Sequence, residues 1–490
     1  MSEAFRRWLD LAIISVIGVL VGLTFGLPLS SMEQFTVVRE EDGGLGASSL
    51  TPYSIVSAGF PVGQAVGAYF SGALNTALMS RHSRRPHHIG FALSLLTIAV
   101  GAVAYWLGNS LVWVGIGRLL QGVGSAGLQT TVRSFVNRST EKGFVNVVTT
   151  ATASFVSVFM GAGPAISAAF ANIKPIELGG GVVIDKFRLP AVFLLGTTMV
   201  TLLTLPLLAD RINVHRKPLP LVAAPINEAQ PLLPKPSTPS LPKSWRALAL
   251  SPIAAMLLIG AGLSAVFAGY ETVAAPLLAR KFGTSMFELG NVFLWSSVAA
   301  AVSFLVVAAV LTPRQSTGKP TVSANAVLLV VLVLSVMALL DLADFGSLVE
   351  PLRGLTSRCS AAADALECSA LDWCSWNAIQ PPLCRIGRGG VDAVTLVSLA
   401  MVNIAFVVGR VVSAGQFMTF CHAESSAKAA AVLQIVSSLA RVVAPIVFIQ
   451  LLDAVPDFPS LWPFAISGAL MLLVTVHFLV ARNRGAASDK

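Results

Sequence analysis

Along all 490 residues, long apolar stretches alternate with short polar runs. A membrane-spanning helix needs roughly 20 mostly apolar residues. Twelve stretches qualify, near 8–31, 51–79, 89–107, 111–136, 144–171, 190–210, 247–273, 286–312, 322–343, 392–419, 428–452 and 461–481. Several hold Gly and Pro internally, which spanning helices tolerate because neighbouring helices re-satisfy the freed backbone groups. The first stretch begins after seven residues and shows no small-residue cleavage site, so it is read as a span and not as a signal peptide. The expected fold class is an all-α polytopic membrane protein: twelve transmembrane helices in two pseudo-symmetric six-helix bundles. The expected domains are an N-terminal bundle over 1–210, a Pro-rich linker over 211–246 and a C-terminal bundle over 247–490.

Composition sharpens this picture. The chain is 55% hydrophobic and only 12% charged, against about 25% charged in soluble proteins, and its mean hydropathy is +0.77. The bilayer is therefore its first partner. The net charge of +9 is read by location, not as a nucleic-acid signal. With the N-terminus in the cytosol, most Lys and Arg fall in cytosolic loops and most acids on the far side, as the positive-inside rule requires. Both termini are then cytosolic. Nothing implies an enzyme: no Ser/His/Asp set and no metal-ligand spacing converges within the spans, and no cofactor or metal is expected. The cluster His82, His87 and His88 beside Arg81, Arg84 and Arg85 reads as a solvated positive-inside anchor, with a pH sensor as the alternative.

Two loops carry further signals. The linker, with "PLPLVAAPINEAQPLLPKPSTPSLPKSW", is too Pro-rich for helix or sheet and forms an extended tether. Within it, Glu228, Leu232 and Leu233 have the acidic-x-x-x-Leu-Leu form of endolysosomal sorting signals read by clathrin adaptors. The other long loop, 344–391, holds Cys359, Cys368, Cys374 and Cys384, four of the five cysteines. On an oxidising, luminal side these form two disulfides, in any of three pairings. Zinc is the rival reading, without a histidine in the loop to support it.

The candidate chemistry lies inside the spans. In "GRLLQGVGSAGLQTTVRSF", residues 117–135, successive helical positions turn by about 100°. Arg118, Gln121, Gly122, Ser125, Gln129 and Arg133 then share about one third of the circumference. Charge in hydrocarbon costs at least ~2.5–3.5 kcal/mol. The stripe is thus either a cavity wall or a polar helix–helix seam, and Arg133, nearest the helix end, either joins the wall or snorkels. The tenth span aligns Asn403, Arg410 and Ser413; the eleventh aligns Gln434, Ser437, Ser438 and Arg441; the fifth aligns Thr150, Ser154, Ser157 and Gly161. In the seventh, Glu271 is the one acid placed deep in a span, above Ser264, as a structural partner for an arginine or as a coupling acid that exchanges protons. Four intramembrane arginines against one glutamate leave surplus positive charge, and arginine binds carboxylate and phosphate bidentately. A small anionic solute follows. Gly117-Arg118 in the fourth span and Gly409-Arg410 in the tenth, with Gly163-Pro164 in the fifth and Ala444-Pro445 in the eleventh, suggest two related halves around a midplane site.

Arg118-x-x-Gln121-Gly122-x-Gly124 resembles the "RxxQGxG" signature of the major facilitator superfamily, and Gly161-x-Gly163-Pro164 is similar to its Gly-Pro motif, with Phe159 where a glycine is usual. Ser80 to Pro86 looks like that superfamily's "GxxxDRxGRR" loop without its acid. Val132 to Phe135, Tyr270-Glu271-Thr272, Ala440 to Pro445 and the Trp373-Cys374 loop resemble the branch of endolysosomal proteins associated with ceroid lipofuscinosis and the SPX-type vacuolar transporters. The resemblance implies the major facilitator fold and an organelle-membrane transporter or anion conductor, with chloride, phosphate or organic anions as candidates. The leading expectation is a secondary transporter of a small anion working by alternating access, with Glu271 open to a proton-coupling role. A chloride-type anion channel on the same scaffold is the alternative, and a non-transporting scaffold or sensor a second one.

Overall fold

The computed structural model describes residues 3–28, 51–80, 86–139, 145–170, 173–177, 183–212, 251–282, 286–311, 322–343, 374–377, 383–386, 393–419, 426–454 and 461–488. Among these, twelve long helices follow one another: α1 Glu3–Gly26, α2 Thr51–Ser80, α3 Pro86–Trp106, α4 Leu111–Ser139, α5 Val145–Ala169, α6 Leu189–Ile212, α7 Pro252–Phe282, α8 Met286–Leu311, α9 Ala324–Leu342, α10 Ala393–Thr419, α11 Ser426–Ala454 and α12 Leu461–Ser488. Each corresponds to one apolar stretch of the sequence. Eight of them (α3, α4 and α7 to α12) are long and apolar enough to cross a bilayer by length and composition alone. Helices α1, α5 and α6 carry shorter apolar cores, while α2 is diluted with Gly, Ser and Thr. The all-α expectation needs one addition: two short antiparallel hairpins, β1 Ile176–Glu177 with β2 Val183–Ile184, and β3 Cys374–Asn377 with β4 Leu383–Ile386.

Helix neighbours reveal the duplication. In the first half α1 packs on α5, α4 and α6, α2 on α4, and α3 on α4 and α6. In the second half α7 packs on α11, α10 and α12, α8 on α10, and α9 on α10 and α12. The second set is the first with six added to every helix number. The two halves meet through α2 against α11 and α5 against α8, and these two contacts exchange under the same operation. A two-fold pseudo-symmetric pair of six-helix bundles results. Large side chains such as Val200, Leu203, Trp295 and Leu305 are exposed on the outside, where lipid, not water, suits them.

The bundles are packed by different means. A Cβ on Gly22 of α1 would meet the Met160 backbone nitrogen of α5 at 2.8 Å, and one on Gly63 of α2 would meet the Leu119 carbonyl of α4. Those helices therefore touch backbone to backbone, the use spanning helices make of small residues. In the second bundle, a Cβ on Gly262 of α7 would meet the Val474 side chain of α12 at 2.9 Å, and one on Gly409 of α10 would meet Leu263 and Val331 side chains.

These contacts also give direction. Gly18, Gly22 and Gly26 meet progressively later residues of α5, so α1 and α5 are parallel; Gly101 and Gly124 show α3 and α4 to be antiparallel. Successive helices alternate up and down. The face at which α1 begins is called the terminal face below, and the opposite one the far face. Arg118 lies toward the far face of α4, and Arg133 toward the terminal face.

Candidate substrate pathway

Three helices of the two bundles bring charge to the molecular centre. Arg118 of α4 is 1% exposed, Glu271 of α7 is 5% exposed and Arg441 of α11 is 4% exposed. Burying an ion costs several kcal/mol unless it is paired and hydrogen-bonded. The structure shows how each one is held.

Arg441 donates from Nη2 to Glu271 Oε2 at 3.3 Å, an ion pair within the second bundle. From Nη1 it donates to Gln64 Oε1 of α2 at 3.2 Å, which crosses to the first bundle. Its guanidinium also sits 4.5 Å from the centre of the Phe25 ring of α1. Arg118 is held entirely by its own bundle. Its Nη1 donates to the Thr24 carbonyl at 3.1 Å and to Gln121 Oε1 at 2.9 Å, and its guanidinium lies 4.5 Å over the Phe60 ring. Phe25 and Phe60 meet edge to face at 5.3 Å, so the two arginines rest on one aromatic pair. A desolvated cation–π contact of this kind contributes about 2 kcal/mol. The Nε atoms of both arginines are buried and have no acceptor.

Arg118, Glu271 and Arg441 line one pocket with Phe25, Ser57, Pro61, Ala268, Thr272 and Pro445. Its free space is about 20 Å³, room for one water. The pocket carries two positive charges and one negative charge. Its walls come from both bundles, α1, α2 and α4 facing α7 and α11.

The stripe on α4 is divided, not continuous. Gln121 is fully buried; it orients Arg118 and points its Nε2 at the Gly101 carbonyl of α3, 3.5 Å away. It acts as a clamp between helices. Gly122 and Gly124 supply close approach, to the Phe60 carbonyl on α2 and to Ile98 N on α3 (2.9 Å from an added Cβ). The "RxxQGxG" string thus places one inward arginine between two helix seams. Further along, Gln129 donates to Ser125 Oγ at 3.4 Å and reaches a second cavity together with Arg133.

That second cavity, about 110 Å³, lies toward the terminal face. Arg133 and Gln129 of α4, Thr152 and Ser157 of α5, and Phe406 and Arg410 of α10 contribute to its lining. Arg410 donates to Gln434 Oε1 of α11 at 2.9 Å and lies 5.6 Å over Phe406, which stacks on Phe267 of α7 at 3.7 Å. Arg133 therefore joins a cavity wall. Asn403 is placed elsewhere: it donates to Ser296 and Ser297 of α8 at 3.3 and 3.2 Å and ties α10 to α8. Ser437 and Ser438 are buried on the same α11 face as Gln434 and Arg441. Ser264 is buried below Glu271. The side chains of Thr150 and Ser154 lie outside the described residues, as do Glu228, Leu232, Leu233, Cys359, Cys368 and the His82 loop. Of Cys374 and Cys384 the backbone is described: Cys374 opposes Ile386, and Cys384 opposes Trp376.

Gln64, Phe25 and Phe60 are site residues that the charge pattern alone did not single out. Gln64 had a signal, since it is a lone amide within the apolar run Phe60-Pro61-Val62-Gly63-Gln64-Ala65-Val66. The two phenylalanines had none, because an aromatic in a spanning helix is ordinary.

The chain was compared with known proteins. No curated protein matches it. Among solved structures it is similar to the human organic anion transporter MFSD10 (TETRAN), with a TM-score of 0.59 over 98% of this chain and 100% of that one, at 16% identity. This is a likeness of fold. The sequence profile of the Major Facilitator Superfamily matches residues 6–352. With twelve helices in two exchanged bundles around a charged centre, this multi-pass membrane protein belongs to the Major Facilitator Superfamily of transporters.

Proposed function

We propose that the protein is a secondary active transporter of a small anionic solute, moved by alternating access and coupled to protons. One observation carries the reading: a pocket walled by both bundles holds Arg118 and Arg441 against the single carboxylate of Glu271. The surplus positive charge attracts an anion once the bundles part and the one-water space between them widens, and the unfilled Nε donors of both arginines add directional hydrogen-bonding capacity. Arginine keeps its charge under all physiological conditions, so substrate and not proton release must balance it. Glu271 is the coupling acid. When protonated it no longer competes for Arg441, and an incoming anion takes its place; when the anion leaves, the carboxylate pairs again. The organic anion named for the human structural neighbour agrees with this substrate class.

The near-closed central pocket supports rocking of the bundles over a permanently open conduit. Arg441 takes part directly, since it pairs within its own bundle and bonds to Gln64 across the interface. The membrane is assigned as endolysosomal or vacuolar, with both termini cytosolic, bundles at 1–210 and 247–490, and the linker displaying the Glu228-Leu232-Leu233 signal to an adaptor. In that orientation the terminal face is cytosolic and the cysteine loop luminal, where oxidation links Cys359, Cys368, Cys374 and Cys384 in two disulfides.

The test is anion flux in proteoliposomes, with chloride, phosphate and a panel of organic anions, with and without a pH gradient. Wild-type protein is expected to move one class of anion in a saturable, gradient-dependent manner. Arg118→Ala and Arg441→Ala should abolish that flux, and Glu271→Gln should remove its dependence on the gradient while leaving exchange of anion for anion. Currents that persist without a gradient and never saturate would overturn the transporter reading in favour of a channel. No flux from well-folded protein would overturn both.

A further inference from the structure

The central pocket has a carboxylate; the second cavity does not. Among the described residues that line it, Arg133 and Arg410 are the charged ones, and the other polar groups are Gln129, Thr152 and Ser157. Arg133 belongs to the first bundle and Arg410 to the second. Both are cations on one cavity whose described lining holds no acid; Glu271, outside that lining, is the anionic group that acts on Arg410. The Gln434 amide oxygen that accepts from Arg410 is neutral, as is the Phe406 ring beneath it. Two fixed positive charges, one on each bundle, face a space of about 110 Å³.

We infer that this cavity is a second anion site, selective for a compact dianion that bridges Arg133 and Arg410 and draws the two bundles together at the terminal face. The inference rests on the transport reading and adds to it the valence of the ligand and a place where its binding does mechanical work. The argument is one of geometry and charge. A guanidinium takes two oxygens of an oxyanion in parallel, so a tetrahedral or dicarboxylate dianion can satisfy one arginine from each bundle at once. A halide can touch both arginines, but it brings one charge against two and no paired oxygens to match either fork. The space holds several waters, enough for inorganic phosphate, sulfate or a short dicarboxylate. An empty site leaves the two cations repelling and the terminal face open; an occupied one removes the repulsion and supplies a tie. A ligand shifts a conformational balance only by its preference for one state, and here the preference comes from contacts that exist only when the bundles are close. The chemistry needed is a doubly charged oxyanion, which a free anion or an anionic lipid headgroup could both present.

The experiment is equilibrium binding of labelled sulfate, phosphate and chloride to purified, delipidated protein in detergent, for wild type, Arg133→Gln, Arg410→Gln and the double variant, each checked for monodisperse elution. Wild type is expected to bind the dianions about tenfold or more tighter than chloride, since bidentate charge-assisted pairs on two arginines replace one. Each single variant should lose that preference, and the double variant should lose little more than either single, because a bridge fails when one end is removed. Arg410→Lys, which keeps charge but not the fork, should fall between, and it serves where the Gln variants elute poorly. A second arm repeats the measurement in nanodiscs with and without phosphatidic acid: competition with sulfate at millimolar free anion assigns the site to a headgroup, and no competition assigns it to the free solute. Equal loss of sulfate and chloride, additive losses in the double variant, or unchanged sulfate binding would each overturn the bridge. If wild type moves an anion in liposomes and Arg118→Ala abolishes this while sulfate binding ignores Arg133 and Arg410, the bridge fails and the transport reading stands. If wild type neither binds nor moves any anion, both fail.

Discussion

Replacing Glu271 by Ala tests the central site most directly. The carboxylate is 5% exposed and lies 3.3 Å from Arg441. At an effective dielectric of about 20, two unit charges at that separation attract by roughly 5 kcal/mol. Removal also spares the cost of burying Glu271 itself, which lowers the net loss, but it leaves Arg441 in place with only the Gln64 amide and the Phe25 ring. Cutting one partner from a buried pair costs about 3–5 kcal/mol, and the upper half of that range applies here because Arg118 shares the pocket. Glu271→Gln keeps an acceptor for Arg441 and should lose about 1–3 kcal/mol. The assay is apparent melting temperature in detergent, read by tryptophan fluorescence. Glu271→Ala should melt lowest, Glu271→Gln between it and wild type. Truncation opens space beside two arginines, so formate or acetate at tens of millimolar should raise the melting temperature of Glu271→Ala and barely that of wild type, by the linkage of binding to stability. The reasoning is refuted if all three proteins melt together, or if small carboxylates stabilise wild type as much as Glu271→Ala.

Other consequences are equally direct. Gln64→Leu removes the hydrogen bond from Arg441 across the bundles, a charged contact worth about 1.5–3 kcal/mol; the temperature of thermal unfolding should fall accordingly, and a cysteine introduced on the far face should become more accessible to a thiol reagent. Gly161→Val drives a side chain into Ser297 Oγ of α8 at the junction of α5 with α8, so transport should slow at least tenfold in a flux assay while the protein still elutes as a folded species. Asp185→Ala removes the carboxylate that accepts from Phe187 N and Arg188 N, both at 2.9 Å, at the entry to α6; a loss of about 1–2 kcal/mol, as for a helix-cap residue, should show in thermal unfolding but not in the apparent KM. Arg118→Lys keeps the charge and forfeits the fork, so anion affinity should drop about tenfold or more with the pH dependence of flux intact.

The twelve helices were legible because hydrocarbon admits few alternatives: a run such as Leu328 to Leu342 has one stable arrangement in a bilayer. The arginines were legible for the same reason, since burying them has to be repaid by function or pairing. What the pattern along α4 concealed was the division of labour on a single face. Gln121 and Arg118 are three residues apart and face one way, yet Gln121 bridges to the Gly101 carbonyl, 20 positions earlier in sequence. The partner of a polar side chain is a fact of packing between helices, and no helical wheel contains it. Asn403 shares a face with Arg410 by periodicity and ends on Ser296 and Ser297 of α8, over a hundred positions away. Gln64 illustrates the reverse. Its isolation among apolar neighbours was visible, but its role depends on Arg441 lying 377 positions further on.

The contrast between the two bundles bears on how such a protein can diversify. Where α1 meets α5 and α2 meets α4, the contact is carbonyl and amide against a missing Cβ, so nearly any mutation at Gly22 or Gly63 separates whole helices. Where α7, α10 and α12 meet, the obstacles are the flexible tips of Val474, Leu263 and Val331, which can rotate aside. The first bundle therefore has few neutral neighbours in sequence space, while the second can accumulate volume changes around Glu271, Arg410 and Arg441 without coming apart. Lineages that acquire new solutes on this scaffold would be expected to do so by rewriting the second half, with the first half kept as a fixed template.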